Sequence, residues 1–316
     1  MAFALWRRHL VQVSAFVVLV LFVVAYWNHE SLKLRLSSFP SSKGPDSPNQ
    51  PHGVNPHQTS HQTLTSQSST PEATPQTGAV VVAAHSTTDL EWQKNINTRY
   101  NYDDVNPPAN RRIPANKGHE AMTYLTFIIT NYDALPNYSI FVHGHRHSWH
   151  QEGDIAELIN NLRLQMLDRD GYVPLRCDWY PSCPAEIRPI DHDAVVWGPG
   201  VHRSDAETEI AKAWQDLFGS TPLPSTIASQ CCAQFAVTRK AIRRHAKSDY
   251  ERMRDWLLQT DLIDDISGRV FEKLWAYIMT GETVRCPPPQ QCACDYFGQC
   301  TAKTWPIPPA GLKGWE

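Results

Sequence analysis

The sequence predicts an α/β domain, a mainly parallel sheet flanked by helices, standing behind a transmembrane helix and a disordered stem. Three observations predict it. Residues 10–27 are uncharged and apolar apart from Gln12 and Ser14. The chain from Ser37 to Gly78 is mostly Ser, Thr, Pro, Gln and His. Beyond it, short apolar runs with β-branched residues alternate with segments whose apolar residues recur at helical spacing, the pattern of strands and helices in one α/β layer structure.

As a helix, residues 10–27 would be about 27 Å long, enough to cross a thin bilayer of the secretory pathway. Arg7 and Arg8 precede this run and Asn28, His29 and Glu30 follow it, so the positive-inside rule keeps residues 1–9 in the cytosol and sends the remainder across. The topology is type II and single-pass. A cleaved signal peptide competes, but residues 25–28 lack a small-x-small cleavage site, and Tyr26 and Trp27 suit the membrane interface. Residues 28–78 then form a stem with too few apolar side chains to offset the entropy of ordering, and their Ser, Thr and Pro content suits O-glycosylation.

Residues 79–316 form the lumenal domain, with a Cys-rich C-terminal end. All 8 cysteines lie there: Cys177, Cys183, Cys231, Cys232, Cys286, Cys292, Cys294 and Cys300. An even count on the translocated side predicts disulfides, with the pairing open. Zinc is the weaker reading because no CxxC pair is present. Asn137-Tyr-Ser is a glycosylation sequon. A net charge of -3 without a basic stripe argues against a nucleic-acid partner.

Along this domain, residues 79–84 read as a buried strand. Thr88-Asp89 would cap a short helix over 90–95, and 98–102 return as a strand ending at Asp103-Asp104. After Asn116-Lys117-Gly118, residues Ala121, Met122, Leu125, Ile128 and Ile129 mark a helix. Pro136 breaks the pattern and 138–143 form the next strand. One helix runs from about Asp154 to Gly171 on Ile155, Leu158, Ile159, Leu162 and Met166. Residues 174–189, rich in Pro and Cys, are a disulfide-tied loop, and 194–197 a brief strand. Helix 205–218, strand 233–238, helix 240–245 and a helix through Val270, Phe271, Leu274, Trp275 and Ile278 complete the order.

Candidate chemistry starts at His143-Gly-His145-Arg-His147-Ser-Trp-His150, which follows a strand at the edge where open α/β sheets bind ligands. His143 and His145 are the candidate metal or phosphate ligands. Asp103 and Asp104 close a strand and rank above Asp191 and Asp193 as hard-metal or donor contacts. Asn116 and Lys117 open a helix where backbone N–H groups favour an anion. Glu272, Asp264 and Asp265 are candidate general bases, although solvated helix ends explain them equally well. GxSxG, Walker A and HExxH are absent from the sequence, so the hydrolase and NTPase classes they mark lack their signatures.

Three segments carry a resemblance: Pro114-Ala-Asn-Lys-Gly-His-Glu-Ala-Met-Thr-Tyr-Leu-Thr-Phe-Ile-Ile, Leu135-Pro-Asn-Tyr-Ser-Ile-Phe-Val-His-Gly-His-Arg-His-Ser-Trp-His, and Cys231-Cys-Ala-Gln-Phe-Ala-Val-Thr-Arg. They resemble the fungal family known as domain of unknown function 3431, over nearly all of residues 79–300. More distantly the order of elements resembles GT-A glycosyltransferases, a Rossmann-like class. Asn116-x-Gly118 opens a helix, and the strand after it ends in His143-x-His145 where that class has Asp-x-Asp.

That likeness implies a nucleotide-sugar substrate, with Mn²⁺ or another divalent metal on His143 and His145, or Arg146 and the helix N-terminus neutralising the diphosphate. It further implies Asp103 and Asp104 at the nucleoside and Glu272 or Asp265 deprotonating the acceptor. The anchor and stem match the layout of resident Golgi transferases. Two other classes stay open: a histidine-based metalloenzyme on His143, His145, His147 or His150, and a non-catalytic lumenal binding protein.

Overall fold

The strand β1 (Gly78–Ala84) pairs in parallel with both β2 (Thr98–Asn101) and β3 (Tyr138–His143). In this computed structural model residues 77–311 are described, apart from 86, 87, 89, 90, 94–97, 195, 196, 199 and 201. The expected membrane segment and the stem up to residue 76 lie outside that set. Among the described residues no helix is long and apolar enough to cross a membrane.

The remaining elements are α1 (Glu120–Asn131), α2 (Ile155–Asn161), α3 (Leu164–Asp170), β4 (Tyr172–Pro174), α4 (Arg203–Phe218), β5 (Ala228–Ser229), β6 (Phe235–Thr238), α5 (Arg239–Ile242), α6 (Lys247–Gln259), α7 (Asp264–Thr280), β7 (Val284–Arg285) and α8 (Pro289–Phe297). The main sheet has the order β2-β1-β3-β6-β4. Because β6 runs antiparallel to both β3 and β4, the sheet is mixed, with β6 reversed among strands that otherwise share one direction. β5 and β7 form a small parallel pair apart from it.

Alternation along the strands divides the core into two layers. Val81, Phe141, Phe235 and Val237 face a cluster built with α1, α4, α6 and α7, in which Tyr124, Leu217, Met253 and Trp275 are buried. Their neighbours Val82, Val142 and Ala236 face the other side, against Ile155, Leu158 and Leu167 of α2 and α3 and Cys292, Tyr296 and Phe297 of α8. Every residue of α1 from Ala121 to Ile129 is buried, as expected of a helix packed between the sheet and further helices.

Several expectations are corrected here. The single helix over 154–171 is two, α2 and α3, because the Arg163 N–H donates to the Tyr296 carbonyl (2.8 Å) and Leu162 is extended (ψ 122°). Of the helix over 90–95, a 3-10 turn, Glu91–Gln93, is described. The strand over 194–197 falls partly outside the described residues, and Ala194 and Trp197 belong to no strand. β4 lies between the expected helix and the expected loop, overlapping the loop only at Pro174, and no strand was expected there, nor the helices α6 and α8.

The disulfides join the middle loop to the C-terminal cluster: Cys177–Cys292 and Cys183–Cys286, with Cys231–Cys232 and Cys294–Cys300 local. The first two close nested loops, with separations of 115 and 103 residues. Either bridge alone keeps the long loop closed, so the other then closes only a short one. Removing either pair by Cys→Ser substitution should therefore cost about 3 kcal/mol, and removing both should cost more than the sum of the two. Urea unfolding of the two double variants and the quadruple variant checks this; additive losses would show that the loops are not coupled.

Candidate functional site

The strand order reverses at β1: the chain leaves β1 toward β2 on one side, and β3 lies on the other, and the C-terminal ends of strands at such a reversal are where open α/β sheets bind ligands. Gly144 lets the chain leave β3 against β1; a Cβ there would meet the Ala84 Cβ at 2.9 Å and Thr88 Cγ2 at 3.1 Å. Its carbonyl accepts from Trp92 Nε1 (3.1 Å) and Gln93 Nε2 (2.6 Å), which fixes where the histidine loop begins.

His143, the last residue of β3, is bound to His150 through Nδ1 and Nε2 at 3.1 Å. Its Nε2 lies 3.7 Å from Glu120 Oε2, and the two side chains are 18% and 14% exposed. That Nε2 has no hydrogen-bond partner. Burial, reinforced by His150, drives the His143 imidazole down to about 3, against the opposing pull of Glu272, so it is neutral at physiological pH. Burial also lowers His150. The two rings form a neutral pair at the C-terminal end of β3, and Trp149 beside them is 72% exposed, its ring 5.2 Å from that of His150.

Two carboxylates flank this pair with opposite proton affinities. Glu120, the first residue of α1, is pushed up to about 8 by burial, with the charge of Glu272 adding to it. Glu272 on α7 would also be raised by burial, but Lys273, Arg269 and the Cys232 N–H together hold it below the usual carboxylate range. Its Oε1 accepts from Lys273 Nζ (3.0 Å) and from the Cys232 N–H (3.2 Å), and Arg269 Nη1 stands 3.8 Å from Oε2. Lys273 also meets Glu186 Oε1 at 3.0 Å. Gln234 completes the frame: its Oε1 accepts from the His143 N–H (3.2 Å) and from Gln151 Nε2 (3.1 Å).

The structure brings His143 and Glu272 into one electrostatic neighbourhood and distributes the other candidates around it. Asp103 pairs with His85 at 3.2 Å just beyond the end of β1, and its charge, with that of Glu120, acts on Tyr102. Asp104 is exposed and closes a turn by accepting from the Asn106 N–H (2.9 Å). His145 is exposed, and Arg146 is held by Asp154 (2.7 Å), the N-cap of α2.

Asn116 is exposed on the loop before α1. Lys117 donates to the carbonyls of Leu258 (3.4 Å) and Thr260, at the end of α6. The Gly118 N–H donates to Asp264 Oδ1 (2.9 Å), and His119 pairs with Asp265 (3.1 Å), so the anions beside this turn are side chains of α7. Asp191 and Asp193 both clamp the Arg188 guanidinium at 2.7 Å.

Asn137 is at the other end of β3, its Oδ1 accepting from Arg239 Nη2 (3.1 Å) and Thr77 Oγ1 (3.2 Å), with Ser139 of its sequon fully buried. An open groove of about 500 Å³ lined by Arg239, Lys240 and Arg243 lies at that end, away from His143.

His143 Nδ1 is taken by His150, the His145 side chain is exposed while its charge acts on both of those rings, and among the described residues no group of three or more His, Cys, Asp or Glu side chains is arranged to hold an ion. Sequence reasoning missed Glu120, which as the first acid of a helix reads as an ordinary dipole partner. It also missed Lys273 and Glu186, whose contact joins segments far apart in the chain.

The family model described as "Protein of unknown function (DUF3431)" matches residues 80–295, a stretch that contains every residue of the site. No curated protein and no solved structure matches the chain.

Glu120 gives this site a signature in stability. Between the unfolded carboxyl value near 4.5 and about 8, the folded chain holds more protons at this position than the unfolded chain. This contribution therefore falls as pH rises through that window and is level above it. Glu120→Gln removes this titration while leaving His143 in place. Relative to the variant, the wild type should lose on the order of a few kcal/mol between about pH 5 and 8, read from urea midpoints at each pH. Parallel curves would mean that Glu120 titrates normally.

Proposed function

We propose that this chain, which belongs to the DUF3431 family, is a glycosyltransferase-like enzyme that moves a sugar from a nucleotide-sugar donor to a hydroxyl of a glycan, protein or small molecule. The observation that carries this reading is the meeting of Glu120 and Glu272, pushed to opposite protonation states, beside a neutral His143 where the strand order reverses. Pairs of carboxyls set apart in this way divide acid and base work between them. The order of elements supports the same reading, with the helix opened by Asn116-x-Gly118 preceding the strand that ends in His143.

In this reaction the acceptor oxygen bonds to the anomeric carbon as the bond from that carbon to the diphosphate oxygen breaks, and the electron pair leaves with the diphosphate. The acceptor's proton passes to Glu272, the ionised carboxylate of the site. Glu120, protonated at neutral pH, donates a hydrogen bond rather than repelling the diphosphate. Arg269, whose Nε has no partner and whose contact with Glu272 is long, is the cation nearest to hand, and His145 adds a solvent-facing ring. No step runs through a metal ion. The exposed Trp149 offers an apolar face on which a sugar or base can stack. A type II anchor over residues 10–27 and a secretory-pathway membrane location accompany this proposal, and the disulfides suit an oxidising compartment.

The test is hydrolysis or transfer across a panel of nucleotide-sugars by purified full-length protein. Glu272→Gln should lower turnover by about 10²-fold or more with KM little changed, and Trp149→Ala should act mainly on KM. Absence of donor binding across the panel, with the protein folded, overturns the enzyme reading and leaves a lumenal binding protein.

A further inference from the structure

The segment between β5 and β6 joins the small sheet to the main one, and two arms of the site hang from it. At one end the Cys232 N–H donates to Glu272 Oε1 (3.2 Å). At the other, Gln234 Oε1 receives the backbone N–H of His143 (3.2 Å) and the Gln151 amide (3.1 Å). Between them Cys232 and Ala233 have φ of 87° and 49°, in the left-handed region that a β-carbon disfavours. No glycine stands between Ala228 and Thr238 to favour such a turn. What the segment has instead is a disulfide between adjacent residues, Cys231–Cys232, both buried at 5% and 9% exposure.

We propose that the Cys231–Cys232 disulfide is a positioning element for the site, a ring that holds the 231–233 turn so that one backbone N–H stays on Glu272 and one side-chain amide stays on His143. The proposal rests on the site described above and not on the reaction assigned to it. A disulfide between neighbours bridges no distant elements and closes a negligible loop, so the entropic stabilisation that long loops gain is absent here. Its effect is local: it removes the extended conformations into which an open Cys-Cys-Ala segment would relax. With the ring open, Cys232 can return to negative φ, and that rotation carries its N–H away from the carboxylate. Glu272 then keeps Lys273 and Arg269 but loses its backbone donor.

Backbone geometry and sulfur chemistry can be told apart, because glycine tolerates positive φ without any ring. In full-length protein labelled with ¹³C at the glutamate carboxyls, the Glu272 resonance is assigned by its absence in Glu272→Gln and titrated against pH. In Cys231→Ser/Cys232→Ser its midpoint should rise by about one pH unit as the hydrogen bond to the charged form is lost. In Cys231→Ser/Cys232→Gly/Ala233→Gly it should return at least halfway to the wild-type midpoint.

An unchanged midpoint in the folded serine variant overturns the proposal. So does a glycine variant that folds but stays fully shifted, and so does failure of both variants to fold, which would make the ring a stabilising element only. If only the glycine variant folds and keeps the wild-type midpoint, the proposal stands. The titration needs no donor, so a negative nucleotide-sugar panel leaves this result intact, and an unchanged midpoint has no bearing on whether donors bind.

Discussion

Lys273 is buried between Glu186 and Glu272, 3.0 Å from each, and the geometry of the site depends on that trio. Burial alone would strip the ammonium of its proton; the two carboxylates hold its pKa above the ordinary lysine value instead. The trio ties the middle loop, through Glu186, to the helix that carries Glu272. A second layer fixes the loop in turn: Glu207, 1% exposed, accepts from the Arg188 N–H (2.7 Å) and Arg203 Nη1 (2.8 Å), while the same Arg203 atom donates to the Glu186 carbonyl (3.0 Å). Apolar side chains of similar volume hold elements together as well as buried ions do, or better. What the trio supplies is a carboxylate of fixed charge and position, from which the raised proton affinity of Glu120 partly follows.

The parts of the fold legible in the sequence are those whose pattern is local. β1 and β3 are largely apolar runs because both their faces are covered, and α1 is buried all round from Ala121 to Ile129, with only Thr123 and Thr126 interrupting its apolar and aromatic side chains, because it lies between layers. β4 is three residues ending at Pro174, and only its pairing with β6 makes it a strand. The break between α2 and α3 comes from a carbonyl at the end of α8, more than a hundred residues away, which no window of sequence contains. α6 was legible in principle, since Tyr250, Met253 and Leu257 recur at helical spacing and are its buried residues, but its other positions are largely charged and hide the stripe.

The site divides along the same line. His143 was legible because it ends an apolar strand, and Glu272 because it lies opposite the apolar stripe of α7. Glu120 was not, since its proton affinity is set by burial and by a carboxylate from another helix. The apolar run placed His143 at a strand end, where the structure has it, but His143 bonds to His150 while the His145 side chain is exposed. Asp191-x-Asp193, which has the spacing of a metal motif, holds an arginine instead. Spacing fixes which side chains share a turn; it does not fix what they face.

The electrostatic balance of the site bears on the kind of ligand it suits. With Glu120 protonated, Glu272 and Glu186 are countered by Lys273 and Arg269, and this group of side chains carries little net charge at neutral pH. Were both Glu120 and Glu272 ionised, a dianionic diphosphate would meet two like charges in a poorly solvated space, and each would disfavour it strongly. Raising the Glu120 pKa removes one of those charges and supplies a hydrogen-bond donor in its place. Linkage then runs both ways, since an anion held near Glu120 would raise that pKa further and take up a proton as it binds. A neutral polyol makes no such demand on protonation. In the proposed reading, therefore, the donor diphosphate, rather than the acceptor sugar, is the part of the substrate to which the buried Glu120 is matched.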